Sequence, residues 1–194
     1  HTEKEPWTGV GDEAKPAARR REYCMEEDEQ NRDVQEEADD MFTLVAGIDR
    51  YPEFLTGCSG ARIRRRDVEE GKEVLLADLI VSYKVFREQF TSRVTLDREA
   101  RIIDVAYVQG PFNHLHNKWH FEALPDGGTR IHFFIDFEFR SATLQKMIST
   151  VFARAFAKMM QAFIDRADDL YDGTRGSPPG APADGMATSS AGQD

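Results

Sequence analysis

Between Ala61 and Arg140 hydrophobic residues recur at every second position, the period of strands with one covered and one wet face. In "EVLLADLIVSY", Leu75, Ala77, Leu79, Val81 and Tyr83 share a face, and Asp78 falls on the other. "QFTSRVTLD" sets Phe90, Ser92, Val94 and Leu96 against Arg93, Thr95 and Asp97. Between these two runs "KVFRE" moves the apolar phase from odd to even positions, which requires a turn or bulge. "RIIDVAYV" places Ile103, Val105 and Tyr107 inward, and "PDGG" is a hairpin signal. In "RIHFFIDFEFR", Ile131, Phe133, Ile135, Phe137 and Phe139 oppose Arg130, His132, Asp136, Glu138 and Arg140, with Phe134 as the one apolar exception.

After Ser141, a good N-cap, the period lengthens to that of a helix. Leu144, Met147, Ile148, Val151, Phe152, Ala155, Phe156, Met159, Met160, Phe163 and Ile164 form one stripe, and Gly173 is a plausible stop. A helix of this length reaches ~45 Å, enough to cross the face of a twisted sheet. Ahead of the strands, Phe42, Val45 and Ala46 predict one short helix. Pro52 then restarts the chain as a second, with Tyr51, Phe54 and Leu55 on its apolar side. The pattern is α+β: an antiparallel sheet, a long C-terminal helix to cover it, and two short helices near the start.

"GPFNHLHNKWHF" carries three histidines, but strand alternation divides it. His114, His116 and His120 share a face with Lys118 and Glu122, whereas Leu115, Asn117, Trp119 and Phe121 form the apolar set that must meet the helix. His114 and His120 lie ~20 Å apart along a strand, too far for one ion, and two histidines are too few for a structural zinc site. The histidines are therefore expected in solvent without a metal. The inward aromatics, with adaptable methionines on the helix, are expected to line an apolar pocket.

Charge separates the arm from the body. Residues 1–40 hold 14 acidic against 6 basic residues, and the rest of the chain is nearly neutral. Residues 1–37 read as an acidic, disordered arm, 38–172 as the folded domain, and 173–194 as a flexible Gly/Pro/Ala/Ser tail. The longest apolar run, "VLLADLIV", is short and broken by an aspartate, and no secretory leader is visible. Cys24 and Cys58 have no metal-ligand spacing, so a reducing, cytoplasmic location is expected, with peripheral contact at the inner membrane allowed. "ARIRRR" at 61–66 is the basic cluster. It reads as a solvated edge strand or, failing that, a contact for anionic lipid or ribosomal RNA. With a net charge of −10, binding to DNA is not expected. No Ser-His-Asp set, phosphate loop or CxxC motif is present, and Asp78 points outward, so catalysis is not expected.

"MFTLVAGIDRYPEFL", "LLADLIVSYKVFREQFTSRVTLD", "GPFNHLHNKWHFE" and "IDFEFRS" before a long helix resemble the coenzyme Q-binding START-domain family of the polyketide cyclase/START-like superfamily. The same family includes proteins labelled ribosome association toxins. The resemblance implies a helix-grip fold. It also implies non-catalytic binding of ubiquinone or a similar polyprenyl lipid, in support of respiration or quinone biosynthesis, with no cofactor. A ribosome-binding toxin is the first alternative and a small-molecule cyclase or hydrolase the second. The expected ligand-binding residues are Tyr51, Phe54, Leu55, Leu79, Val81, Phe90, Val105, Tyr107, Phe112, Leu115, Asn117, Trp119, Phe121, Phe137, Phe152, Phe156 and Met159, with the mouth near Tyr51–Leu55 and Phe112. Two features depart from the family: the acidic segment where an N-terminal edge strand belongs, and "FLTGC" where Pro-Trp commonly precedes the cysteine.

Overall fold

A computed structural model describes residues 26–84 and 86–171. Seven antiparallel strands form one sheet in the order β1-β7-β6-β5-β4-β3-β2. The strands are β1 (Glu26–Val34), β2 (Cys58–Glu69), β3 (Lys72–Tyr83), β4 (Phe86–Asp97), β5 (Ile102–Gln109), β6 (Phe112–Ala123) and β7 (Thr129–Phe139). Helix α1 (Ala38–Ala46) and a 3-10 turn (Ile48–Glu53) lie between β1 and β2. The second short helix is tighter than expected because Pro52 sits inside it and removes a backbone donor. Helix α2 (Ala142–Tyr171) follows β7 directly. The helix-grip arrangement is therefore present.

One expectation is overturned. Residues 26–34, read as part of a disordered arm, form edge strand β1, paired along its length with β7 from Glu26↔Phe137 to Val34↔Thr129. Its inward residues Gln30, Arg32 and Val34 are only half-buried, while Glu29, Asn31 and Asp33 are exposed. The strand is held by its backbone and by outward polar contacts. Arg130 donates to both Asp33 oxygens at 2.8 and 2.9 Å, and the His132 ring lies 2.7 Å from Asn31 Oδ1. Thr129 Oγ1 then donates to Glu36 O at 2.7 Å, fixing the passage into α1. The expectations for residues 1–25 and 172–194, including the stop at Gly173, lie outside the described residues.

The phase shift in "KVFRE" is a tight turn between β3 and β4, with Lys84 at φ 53°. The β2–β3 turn uses Glu70 and Gly71, both at positive φ, the pattern of a two-residue hairpin. Ser141 caps α2 by accepting from Leu144 N at 3.2 Å. Gln145 is 4% exposed, and its Oε1 accepts from Phe139 N at 2.8 Å, pinning the first turn of α2 to the end of β7.

The core has two apolar clusters. One lies under the C-terminal half of α2 and the α1 end of the sheet, built on Phe42, Leu75, Trp119, Phe121, Phe133, Phe156 and Phe163. The other lies under the N-terminal half of α2, built on Phe86, Phe90, Phe112, Leu115, Phe137 and Phe139.

Candidate functional site

The two clusters are closed to different degrees. In the first, Trp119 packs on Phe133 at 4.4 Å and Phe163 at 5.4 Å, and Tyr51 meets Phe163 at 5.3 Å, all edge to face. Tyr51 Oη donates to Val45 O, and burial pushes its phenol well above the ordinary range. Cys58, buried beside it, donates to Gly60 O at 3.3 Å, and burial raises its thiol too, leaving it a poor nucleophile. Of the expected pocket residues, Tyr51, Phe54, Leu55, Val105, Trp119, Phe121, Phe156 and Met159 belong to this packed region.

The second cluster has a filled floor and a looser cover. Phe112 stacks on Phe139 at 4.4 Å and meets Phe90, Tyr107 and Phe137 edge to face at 5.5, 5.6 and 6.1 Å. Its own N–H donates to Tyr107 Oη at 3.3 Å. Gly110 allows this packing: it has φ +148°, and a Cβ there would come within 2.6 Å of Phe90 Cβ. Above this floor the helix side chains Leu144, Ile148 and Phe152 are only half-buried, as are Leu79, Val81, Tyr83 and Tyr107 at the rim. Leu79, Val81, Phe90, Tyr107, Phe112, Leu115, Phe137 and Phe152 from the expected set meet here. The two halves of the expected mouth, Tyr51–Leu55 and Phe112, pack in different clusters, because α2 spans both while its side chains at either end meet different strands.

Two polar side chains interrupt the apolar face of the sheet where the two clusters meet. Ser92 is 1% exposed and stands between Ala77 and Tyr107 in the strand register. Asn117 stands between Val105 and Ile135. Ser92 Oγ and Asn117 Oδ1 are buried without a hydrogen-bond partner among the described residues. Sequence reasoning named Asn117 for the pocket but left Ser92 in the core; its sign was a lone hydroxyl in an otherwise apolar inward set.

The outer face carries the remaining charge. The histidines point away from the helix, as alternation requires, yet they are engaged rather than bare. His114 Nε2 lies 2.9 Å from Asp136, His116 Nε2 lies 3.0 Å from Asp104, and His120 stacks on His132 at 5.3 Å. Asp78 also faces outward but is 7% exposed, covered by β2 and bonded by Thr91 Oγ1 at 2.6 Å and Arg62 at 3.2 Å. Burial opposes its charge, but Thr91, Arg62 and Arg64 together hold its carboxyl below the usual range. Every arginine of "ARIRRR" beyond Ala61 is spoken for: Arg62 and Arg64 by Asp78, Arg65 by Asp67, Arg66 by Glu73. This run is a solvated edge strand.

A sheet gripping a C-terminal helix over a floor of buried rings is matched by known proteins. Residues 34–164 match the family described as polyketide cyclase / dehydrase and lipid transport. The chain belongs to this family. Within the family it is 35% identical over 134 residues to "Ribosome association toxin RatA" of Rickettsia prowazekii, covering 67% of this chain and 88% of that protein. It is 26% identical over 145 residues to "Coenzyme Q-binding protein COQ10, mitochondrial" of Dictyostelium discoideum, covering 74% of this chain and 69% of that one. Among solved structures, the 18 kDa protein CC1736 from Caulobacter crescentus superposes with a TM-score of 0.66 at 33% identity, over 76% of this chain and 99% of that one.

Proposed function

We propose that this family member binds ubiquinone or a similar polyprenyl lipid without covalent chemistry, in the cleft beneath the N-terminal half of α2. The observation that carries the reading is the second cluster itself. It has a floor of buried rings and a cover of half-exposed Leu144, Ile148 and Phe152, and at its border with the first cluster Ser92 and Asn117 carry polar atoms that have no partner among the described residues. An apolar wall with a few converging polar groups suits a flat, carbonyl-bearing head with an apolar tail. Burial contributes ~0.8 kcal/mol per CH2, so an enclosed isoprene unit is worth roughly 3–4 kcal/mol. The relative named for coenzyme Q binding supports this choice of ligand. Among the described residues, the polar side chains in and beside the second cluster are Tyr83, Tyr107, Ser92, Asn117 and Gln145, with no paired acid and base, which favours carriage over cyclase or hydrolase chemistry. We place the protein in the cytoplasm, meeting the inner membrane peripherally; no described helix is long and apolar enough to cross a membrane.

A second reading, association with ribosomes, is favoured by the higher identity to the relative named for it. It predicts dependence on exposed arginines rather than on the cleft. Trp119 reports on the difference, because a chain of rings through Phe133, Phe156 and Phe152 links its indole to Phe137. In a Trp7→Phe background, short-chain ubiquinone should quench Trp119 saturably. Phe137→Ala or Phe152→Ala should weaken the quenching while the fold persists, and replacing Arg64 and Arg65 should not. If cleft variants bind as wild type while the arginine variants abolish activity in cells, the ribosome reading replaces this one.

A further inference from the structure

Charge is sorted along this chain in a way that the overall −10 conceals. Between Glu138 and Asp165 there is no acidic residue, whereas Arg140, Lys146, Arg154 and Lys158 are all present. All four are exposed, and none has a carboxylate partner among the described residues. At 3.6 residues per turn, Lys146, Arg154 and Lys158 fall within an arc of about 120° on α2. The turn between β3 and β4 adds Lys84 and Arg87, also exposed and without a carboxylate partner among the described residues; Lys84 Nζ lies over the Tyr83 ring at 5.6 Å. Tyr83 packs in the same cluster as Leu144 and Ile148, so this turn and the start of α2 lie along one edge of that cluster. The acids nearest in sequence are Glu88, half-buried on β4, and Glu138, which is directed to His114 at 3.7 Å.

Apolar side chains lie among these cations. Met147 is 39% exposed, and Leu144, Ile148 and Val151 are half-exposed beside it. The positive end of the α2 dipole, at Ser141, adds to the field at this spot. We infer that the rim formed by the N-terminal half of α2 and the β3–β4 turn docks the protein on an anionic lipid bilayer, cations on the headgroups and Met147 with its apolar neighbours in the interface. Paired arginines such as those of β2 have their charge already answered by carboxylates, whereas these six have no carboxylate among the described residues, although Arg140 Nε donates to Phe112 O at 3.1 Å. Interleaved aliphatic side chains, rather than aromatic stacking platforms, favour a lipid surface over RNA. The inference extends the lipid-carrier reading and depends on that reading only for what the surface delivers: a cleft opened toward the membrane that holds its ligand.

The test is co-sedimentation of the full chain with vesicles, either pure phosphatidylcholine or phosphatidylcholine with phosphatidylglycerol. Binding should require the anionic lipid and fall with added salt. Lys146→Gln with Arg154→Gln should weaken it about thirtyfold, at the usual contribution of a basic side chain near such a surface. Met147→Asp should weaken it as well, and Arg65→Gln with Arg66→Gln should leave it unchanged. Trp119 quenching by short-chain ubiquinone in solution should survive all of these changes. Vesicle binding without quenching would keep the docking surface and remove the ligand reading. Quenching with no preference for anionic vesicles, or loss of affinity for ribosomal RNA rather than vesicles in the glutamine variants, would overturn the docking surface.

Discussion

Ser92→Ala separates stability from binding. The residue is 1% exposed and its hydroxyl has no partner among the described residues, next to Thr91, whose hydroxyl points to the other face and donates to Asp78 at 2.6 Å. A buried polar group left unsatisfied costs ~1–3 kcal/mol, and the oxygen's dispersion contacts return only a few tenths. Removing it should therefore stabilise the free protein by about 1 kcal/mol, or ~2–4 °C in Tm for a domain of this size. If the hydroxyl instead serves a ligand carbonyl, the same change deletes one hydrogen bond from the complex and weakens quinone binding roughly 2- to 12-fold. Thr91→Val is the matched control: it strips a bonded, charge-assisted hydroxyl and should lower stability by ~1.5–3 kcal/mol without touching the ligand. Urea unfolding and Trp119 quenching on the three proteins measure both quantities. A Ser92→Ala protein that is less stable than wild type, or equally stable with unchanged affinity, refutes the argument.

Other consequences follow from the edge strand and the outer face. In an antiparallel edge strand neighbouring N–H groups alternate between partner and solvent, so one of Asn31→Pro and Arg32→Pro breaks a bond to β7 and the other does not. The two should differ in urea unfolding by roughly 1–3 kcal/mol, and equal effects of either size would count against β1. The hydrogen bond to Asp104, against the opposing effect of burial, raises the His116 pKa. Its stabilisation is thus fully present below pH ~6.5 and lost as pH rises through the folded value. The stability gap between wild type and His116→Gln should shrink from pH 5.5 to pH 8, and a constant gap would show that the pair contributes nothing through protonation. Burial lowers the His120 pKa, with His132 adding to it, so its contribution has the opposite sign, present above ~6.5 and lost on acidification. His120→Gln should be the variant whose deficit grows toward pH 8.

The strands of the body and α2 were legible because their faces differ so sharply in polarity. In β7 the alternation alone separates Phe133 and Phe137 from His132 and Asp136. β1 was illegible for the opposite reason: Gln30 and Arg32 occupy its inward side, and an edge held by backbone bonds asks little of its side chains. Alternation also told which aromatics point inward, but not how far along the sheet each lies. Trp119 and Leu115 share a strand face, yet four residues of register place one in the first cluster and the other in the more loosely covered second. The basic run at 61–66 drew attention because it is contiguous, whereas the unanswered cations are scattered from Lys84 to Lys158 and meet only in the fold. The acid-free stretch from 139 to 164 was the sign of them that could have been read directly.

The two borders of the sheet are opposite in sign: β1 is rich in acids and β2 in arginines. Were both straight, one molecule's β2 could add to the next molecule's β1, a head-to-tail pairing that no rotation need close and that would grow as a fibre. Attraction between the borders would speed that growth rather than prevent it. The safeguard lies in shape. Pairing of β2 with β3 slips between Cys58 and Gly60 and again between Ile63 and Arg65, so the outer row of donors and acceptors on β2 is kinked twice along its length. Straightening these kinks, rather than altering a charge, is the change that would expose this protein to such growth.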